Sequence, residues 1–318
     1  MERGKTMKRR RNSVLQLFVL GVLGAAVIFT LVLPHISPYF HSREPMEISA
    51  IMRDSDSKIW SDMRSGMEQA ASDLGVELRF LVPSSGNPKE QEDLICKEME
   101  RGTDGIILTP VDSAYIERRI NFGEIPVVSL EIPLSGSWKT VSPDNEQIGK
   151  QLAEFAVQEK KVDAVLLVSS YPKNQGMAQR IEAAQQVLHE EGVQTRLCRG
   201  NLSIPMREMA EEMGAEQIIA LDSKATLMVA DAYASSTDRP LIYGVGSSRE
   251  ITTHLEKGVI SAVAAWSEYA AGYMAVECAA APVQRKENDA EGALKVSIIK
   301  GDEIYEPENQ KLLFPVIS

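Results

Sequence analysis

Short apolar runs and amphipathic segments alternate along most of the chain. The runs are rich in β-branched residues, and the segments between them repeat their apolar positions at helical spacing. This alternation is typical of parallel sheets covered by helices on both faces. The predicted strands form two successive series, 47–53, 76–82, 105–109 and 126–131, then 164–169, 194–198, 217–221 and 241–245.

The clearest predicted helix covers residues 58–74. Its apolar positions form one buried stripe, made of Ile59, Trp60, Met63, Met67, Ala70, Ala71 and Leu74. Asn87, Ser113 and Ser223 are predicted N-caps, because their side chains can accept hydrogen bonds from unpaired first-turn amides. These signals mark where the predicted helices begin.

The two strand series have similar lengths and predict an α/β protein with two lobes, each a doubly wound parallel sheet. A cleft between the lobes follows from this plan. Loops beyond the carboxyl ends of such strands face the crevice, where helix N-termini and loop side chains meet a ligand. The candidate site is therefore sought in these loops.

An uncharged apolar run extends from Val14 to Leu33. At about 1.5 Å per residue it spans a hydrocarbon core of roughly 30 Å. It has full length and stops at Pro34 without an Ala-x-Ala box, which favours an uncleaved signal anchor over a cleaved leader. We predict a cytoplasmic basic segment at 1–12, a transmembrane anchor at 13–33 and a linker at 34–45. The protein is then a single-pass cell-membrane protein with its C-terminal domain outside the cytoplasm.

The charge of the chain is unevenly distributed. Residues 1–12 contain six basic residues and one acidic residue, Glu2, and so carry a net charge of +5. Because the whole chain carries −11, the remaining residues carry −16. This acidic remainder of the chain repels the phosphates of nucleic acids, and we expect no nucleic-acid partner. The excess of acidic residues is typical of solvated helix faces.

Motifs for catalysis or metal binding do not occur in the sequence. Cys96, Cys198 and Cys278 are far apart, and neither GxSxG nor HExxH is present. We expect no enzyme activity, no cofactor and no metal site.

Several stretches of the outer part resemble the type I periplasmic sugar-binding proteins, of which ribose-binding protein is the familiar member. They cover nearly the whole outer domain in order, and comprise IWSDMRSGMEQAASDLGVEL (59–78), NPKEQEDLICKEMERGTDGIILTPVDS (87–113), IPVVSLE (125–131), SPDNEQIGKQLAEF (142–155), GMAQRIEAAQQVL (176–188) and LEKGVISAVAAWSEYAAGYMA (255–275). The resemblance implies a hinge with three chain crossings, near Val141, Trp266 and Val296. The N-terminal lobe is then 46–141 with 266–295, and the C-terminal lobe 142–265 with 296–318.

The resemblance also implies ligand-binding positions at strand ends. Carried over residue by residue, they are Asp54, Asp56, Trp60, Glu131, Tyr171, Asp222 and Trp266. Each has a structural alternative: Trp60 fits a core position, Asp54 and Asp56 fit helix caps, and Tyr171 fits either a lid or a turn. Glu131 is the strongest candidate, because an unpaired carboxylate at the end of a buried strand is costly.

Other positions depart from the family pattern. Where the family has Asp-Arg after its fourth strand, this chain has Glu131-Ile132, which keeps the carboxylate and loses the guanidinium. The family's ligand-binding arginine falls on Ala178, and Arg180 matches a structural arginine. A glutamine at the second crossing is replaced by Trp266. These changes predict a ligand less polar than ribose, or a remodelled pocket.

The resemblance implies a substrate-binding protein that closes on a small polar ligand such as a sugar. It would serve ABC transport, through an ABC permease, or signalling, through a membrane sensor histidine kinase. The alternative is a ligandless structural or interaction module that has kept the fold. DNA-binding repressors share the two-lobed domain, but here a predicted membrane helix stands where they carry a helix-turn-helix.

Overall fold

The computed structural model describes residues 22–24, 45–53, 57–137, 139–171, 174–200, 203–284 and 294–314. The chain divides into two units, Met1–Pro45 and Met46–Ser318. In the first unit, residues 22–24 are helical, and the remainder of the predicted anchor at 13–33 lies outside the described residues. Within the ranges that the structure describes, no helix is long and apolar enough to cross a membrane.

The first sheet has five parallel strands in the order β2-β1-β3-β4-β5. They are β1 (Met46–Ile51), β2 (Val76–Leu81), β3 (Gly105–Leu108), β4 (Val127–Leu130) and β5 (Lys139–Val141). The helices of this first lobe are α1 (Ser57–Leu74), α2 (Pro88–Arg101), α3 (Ser113–Arg119) and α9 (Glu268–Gln284). Helix α9 packs against α1 and against β3 and β4, although it comes late in the chain.

The second sheet has six strands in the order β11-β10-β9-β8-β6-β7. They are β6 (Ala164–Ser169), β7 (Gln194–Arg199), β8 (Gln217–Ala220), β9 (Leu241–Val245), β10 (Ala262–Ala265) and β11 (Ser297–Lys300). All are parallel except β11, which pairs antiparallel with β10 at the edge. The helices of this second lobe are α4 (Asn145–Glu159), α5 (Gln175–Glu190), α6 (Ser203–Met213), α7 (Ser223–Tyr233), α8 (Arg249–Glu256) and α10 (Pro307–Leu313).

The chain passes between the two sheets three times. It leaves the first sheet after β5 to form α4, returns from β10 to α9, and goes back from α9 to β11. A parallel bridge joins Pro143 to Leu294, so two of the passages lie side by side. The predicted two-lobed α/β architecture with parallel sheets is therefore confirmed.

Two glycines set the position of α9 on the first lobe. A Cβ at Gly272 would lie 1.9 Å from the carbonyl oxygen of Met63, and a Cβ at Gly66 would lie 2.0 Å from that of Tyr269. Only glycine permits so close an approach of two helix backbones. The start of α9 is thereby fixed at the boundary between the lobes.

All eight predicted strands are present, and three more were missed. Strands β5, β10 and β11 have only three or four residues each, and β10 is largely alanine, so none shows a long β-branched run.

The predicted cap Asn87 is confirmed, since its side chain accepts from the Lys89 amide. The predictions of Ser113 and Ser223 as N-caps are each wrong by one residue. The preceding residues, Asp112 and Asp222, accept from amides three positions on and leave each serine as the first helical residue.

Candidate functional site

The sequence-predicted residues follow the carboxyl ends of strands from both sheets, where parallel topology brings loops together. Glu131 follows β4, Tyr171 follows β6, Asp222 follows β8 and Trp266 follows β10, whereas Trp60 lies in the first turn of α1. Asp54 and Asp56 lie outside the described residues. The described members meet around two buried arginines, Arg53 and Arg180.

Arg53 forms a buried ion pair with Glu131. Their Nη2 and Oε2 atoms are 2.7 Å apart, and the two side chains are 6% and 10% exposed. The guanidinium beside Glu131 therefore comes from the loop after β1, whereas the residue that follows Glu131 is Ile132. Breaking such a pair leaves a buried charge without its counterion, so the two side chains depend on each other.

Glu131 also has an unusual backbone. Its φ of 65° lies in the left-handed region, and it is the one non-glycine residue with positive φ among the described residues. A conformation of this kind costs on the order of 1 kcal/mol or more, and such strain concentrates at functional sites. The carbonyl of Glu131 accepts a hydrogen bond from Asn145 Nδ2, at 3.4 Å, in the second lobe.

Aromatic rings from both lobes flank the Arg53 guanidinium. Its central carbon is 4.8 Å from the ring centroid of Trp60 and 4.4 Å from that of Tyr171. Trp60 belongs to the first lobe and is buried in the core, whereas Tyr171 belongs to the second lobe and is partly exposed. Arg53 therefore bridges the lobes through cation–π contacts.

Arg180, on α5, is the buried arginine of the second lobe. Its Nε donates to Asn145 Oδ1 at 2.7 Å, and its Nη1 donates to the carbonyl of Leu221 at 2.8 Å. Its guanidinium is 5.5 Å from the ring centroid of Trp266. Burial lowers the pKa of Arg180 to about 10, against the opposing effect of the Glu131 and Asp222 carboxylates. Arg180 remains cationic at neutral pH.

Asp222 positions the loop that carries Tyr171. One carboxylate oxygen accepts from the Ala225 amide at 2.8 Å and caps α7. The other accepts from the Ser170 amide at 2.7 Å and from Ser169 Oγ at 3.2 Å. Both oxygens are thus engaged by the second lobe, which gives Asp222 a positioning role in this structure.

Two helix N-termini exchange hydrogen bonds across the lobe boundary. The amide of Ser113, at the start of α3, donates to Asn174 Oδ1, and the amide of Gln175, at the start of α5, donates to Ser113 Oγ, both at 3.4 Å. Asn174 has the backbone of an N-cap but makes no cap bond to its own helix. Each helix therefore has a first-turn amide bonded to a residue of the other lobe, in addition to the Asp112 cap of α3, and these bonds stabilise the closed arrangement.

Replacing Asn174 with alanine is expected to lower the free energy of unfolding by about 1 kcal/mol, because the Ser113 amide loses its acceptor. It should also weaken ligand binding about fivefold, the equivalent of roughly 1 kcal/mol, since closure is less favourable. Urea unfolding and calorimetric titration measure the two effects.

The matched control is Asn87→Ala, which removes the cap of α2 at an exposed position whose described hydrogen bond is to Lys89 of the same helix. It should cost similar stability and leave affinity unchanged. Equal affinity losses in the two variants would show that the contact between Ser113 and Asn174 has no role in closure.

Sequence reasoning missed several residues of this site, namely Arg53, Ser113, Asn145 and Asn174. Arg53 could have been identified from the sequence, because it lies in the loop after the first strand, directly before the candidate residue Asp54. The others gain their role from partners in the opposite lobe.

In the part of the chain that the structure describes, no group of three or more histidine, cysteine or acidic side chains is arranged to hold a metal ion. Cys96 is exposed, and Cys198 and Cys278 are buried.

The family profile of the periplasmic binding protein domain matches residues 48–287. The chain belongs to this family. The match covers both sheets except β11 and includes every described residue of the site. None of the curated proteins matches the chain.

Solved structures share the fold of this periplasmic binding protein domain. A carbohydrate transporter solute-binding protein from Agrobacterium radiobacter, in complex with D-arabinose, superimposes with a TM-score of 0.76 at 16% identity, covering 86% of this chain and 100% of that chain. GanP, a glucose-galactose binding protein from Geobacillus stearothermophilus, gives 0.70 at 19% identity, with coverages of 83% and 100%. A chain of the XylFII–LytSN complex gives 0.70 at 17% identity, with coverages of 81% and 98%.

Proposed function

We propose that the protein is an extracytoplasmic binding protein that closes on a small uncharged polyhydroxy compound, such as a sugar. The observation that carries this proposal is the buried Arg53–Glu131 ion pair at the lobe boundary, flanked by aromatic rings from both lobes. Removing two charged groups from water costs free energy, and contacts with a ligand in a binding site can offset that cost.

The chemistry of the boundary suits a sugar. Hydroxyl groups both donate and accept hydrogen bonds, and carboxylates and guanidinium groups can satisfy them in both senses. The apolar faces of sugar rings pack against aromatic side chains, which Trp60, Tyr171 and Trp266 provide. The sugar-binding proteins that share the fold support this ligand class.

Two kinds of partner can recognise the closed complex. One is an ABC permease that takes up the solute, in line with the transporter solute-binding proteins of this fold. The other is a membrane sensor histidine kinase, and the XylFII–LytSN complex shows that a protein of this fold assembles with a second protein. A permanent membrane anchor at 13–33, which we also propose, favours sensing slightly.

A thermal-shift screen of the full chain in detergent tests the proposal. The panel contains D-arabinose, D-tagatose, D-fucose, D-glucose, D-galactose, polyols and nucleosides. A ligand at one hundred times its dissociation constant stabilises the folded state by about 2.7 kcal/mol, a clear rise in Tm. No shift with any compound would favour the alternative, a ligandless interaction module.

A further inference from the structure

Glu268 lies at the second passage between the lobes and is not among the sequence-predicted residues. It is the first residue of α9, after Ser267, whose hydroxyl caps the helix by accepting from the Ala270 amide. The Glu268 side chain is buried, with 3% of the residue exposed. The close packing of α9 on α1 holds it in this position.

Two polar atoms in this short segment are buried and lack hydrogen-bond partners among the described residues. They are Glu268 Oε2 and the indole Nε1 of Trp266. A buried polar atom left without a partner costs about 1–3 kcal/mol, so two within three residues of each other need an explanation. One is a pure donor, and the other is a carboxyl oxygen.

Charged groups of the first lobe surround the Glu268 carboxyl. The neighbouring carboxylates are Glu131 and Asp62, and the Arg53 guanidinium and the Ser247 backbone N–H oppose their effect. Burial, followed by these two carboxylates, raises the pKa of Glu268 well above its usual 4.5. A neutral carboxyl can donate its proton from one oxygen and accept on the other.

We propose that Glu268 is a ligand-binding residue of the same cleft, and that its carboxyl and the Trp266 indole N–H together bind hydroxyl groups of the ligand. This inference rests on the proposed function. The two unpartnered atoms flank the start of α9, beside the ion pair that carries that function. A sugar hydroxyl accepts from the indole N–H, and a second hydroxyl or a ring oxygen accepts from the carboxyl proton.

The neutral form of Glu268 makes binding sensitive to pH. As pH rises through its raised pKa, the carboxyl ionises beside Glu131 and Asp62, and closing the cleft over an additional buried anion becomes unfavourable. Affinity should therefore fall with increasing pH. Glutamine keeps the shape of the protonated side chain and its ability to donate, but it cannot ionise.

The test is calorimetric titration of the full chain in detergent with D-arabinose, D-fucose and D-galactose between pH 5 and pH 9. The variants are Glu268→Gln, Glu268→Met and the matched control Glu277→Met, which lies on the same helix and is partly exposed. We expect Glu268→Met to lose at least tenfold in affinity and Glu277→Met to match the wild type. Glu268→Gln should stay within about threefold and lose the pH dependence.

The outcomes separate the two proposals. If the wild type binds none of these sugars at any pH and shows no thermal shift with any other compound of the panel, the proposed function fails and this inference fails with it. If the wild type binds a sugar and Glu268→Met binds it equally well, only the inference is overturned. Should Glu268→Met not fold, Glu268→Gln decides, because an unchanged pH dependence of its affinity contradicts the role of Glu268.

Discussion

Replacing Arg53 with methionine is expected to lower the free energy of unfolding by about 3–5 kcal/mol. The substitution leaves Glu131 buried without its counterion, and it removes the cation that contacts Trp60 and Tyr171. Methionine keeps much of the aliphatic length, so lost packing contributes little. Urea unfolding followed by far-UV circular dichroism measures the change.

The matched control is the double variant Arg53→Met with Glu131→Gln. Glutamine retains the shape of Glu131 and its positive φ, so only the charge is removed. The double variant should recover to within about 1 kcal/mol of the wild type, because no buried charge is left unpaired. Both variants should lose sugar binding. If Arg53→Met is as stable as the wild type, the ion pair does not contribute to the stability of the fold.

Replacing Gly176 with valine is expected to reduce ligand affinity at least tenfold while the protein stays folded. Gly176 is the second residue of α5, and a Cβ there would lie 2.7 Å from Asn145 Nδ2 and 3.4 Å from Pro133 Cδ. Pro133 belongs to the first lobe, so a branched side chain at 176 separates the lobes. Calorimetric titration with the sugar identified by the thermal-shift screen measures the loss.

Ala183→Val is the matched control for Gly176→Val. It adds a branched side chain to the same helix at a partly exposed position that faces α4. Its affinity should equal that of the wild type. If Gly176→Val also binds normally, the lobes do not need this close approach in order to bind ligand.

The long buried strands β1 and β6 could be predicted from sequence, because each is a largely apolar run that contains β-branched residues and is followed by a polar loop. Strands β5 and β10 could not, since β5 has three residues and β10 is a run of small side chains whose place in the sheet is set by neighbouring strands. The antiparallel pairing of β11 likewise depends on tertiary contacts.

Part of the site was also predictable. Residues that follow strands in a doubly wound sheet converge. Glu131, Tyr171 and Trp266, which the resemblance implied, follow β4, β6 and β10 at the lobe boundary, and their contact with a ligand stays a prediction. The partner of Glu131 was not predictable, because Arg53 lies 78 positions earlier in the chain. The burial of Glu268 could not be predicted either, since it arises from the packing of α9 against α1.

Small-angle X-ray scattering of the full chain in contrast-matched detergent tests the central claim most directly. The sugar with the largest thermal shift is titrated from zero to saturation. We expect the radius of gyration to fall and to level off in parallel with occupancy, because the lobes close on the ligand. A radius of gyration that stays constant while the sugar binds would contradict closure at this boundary.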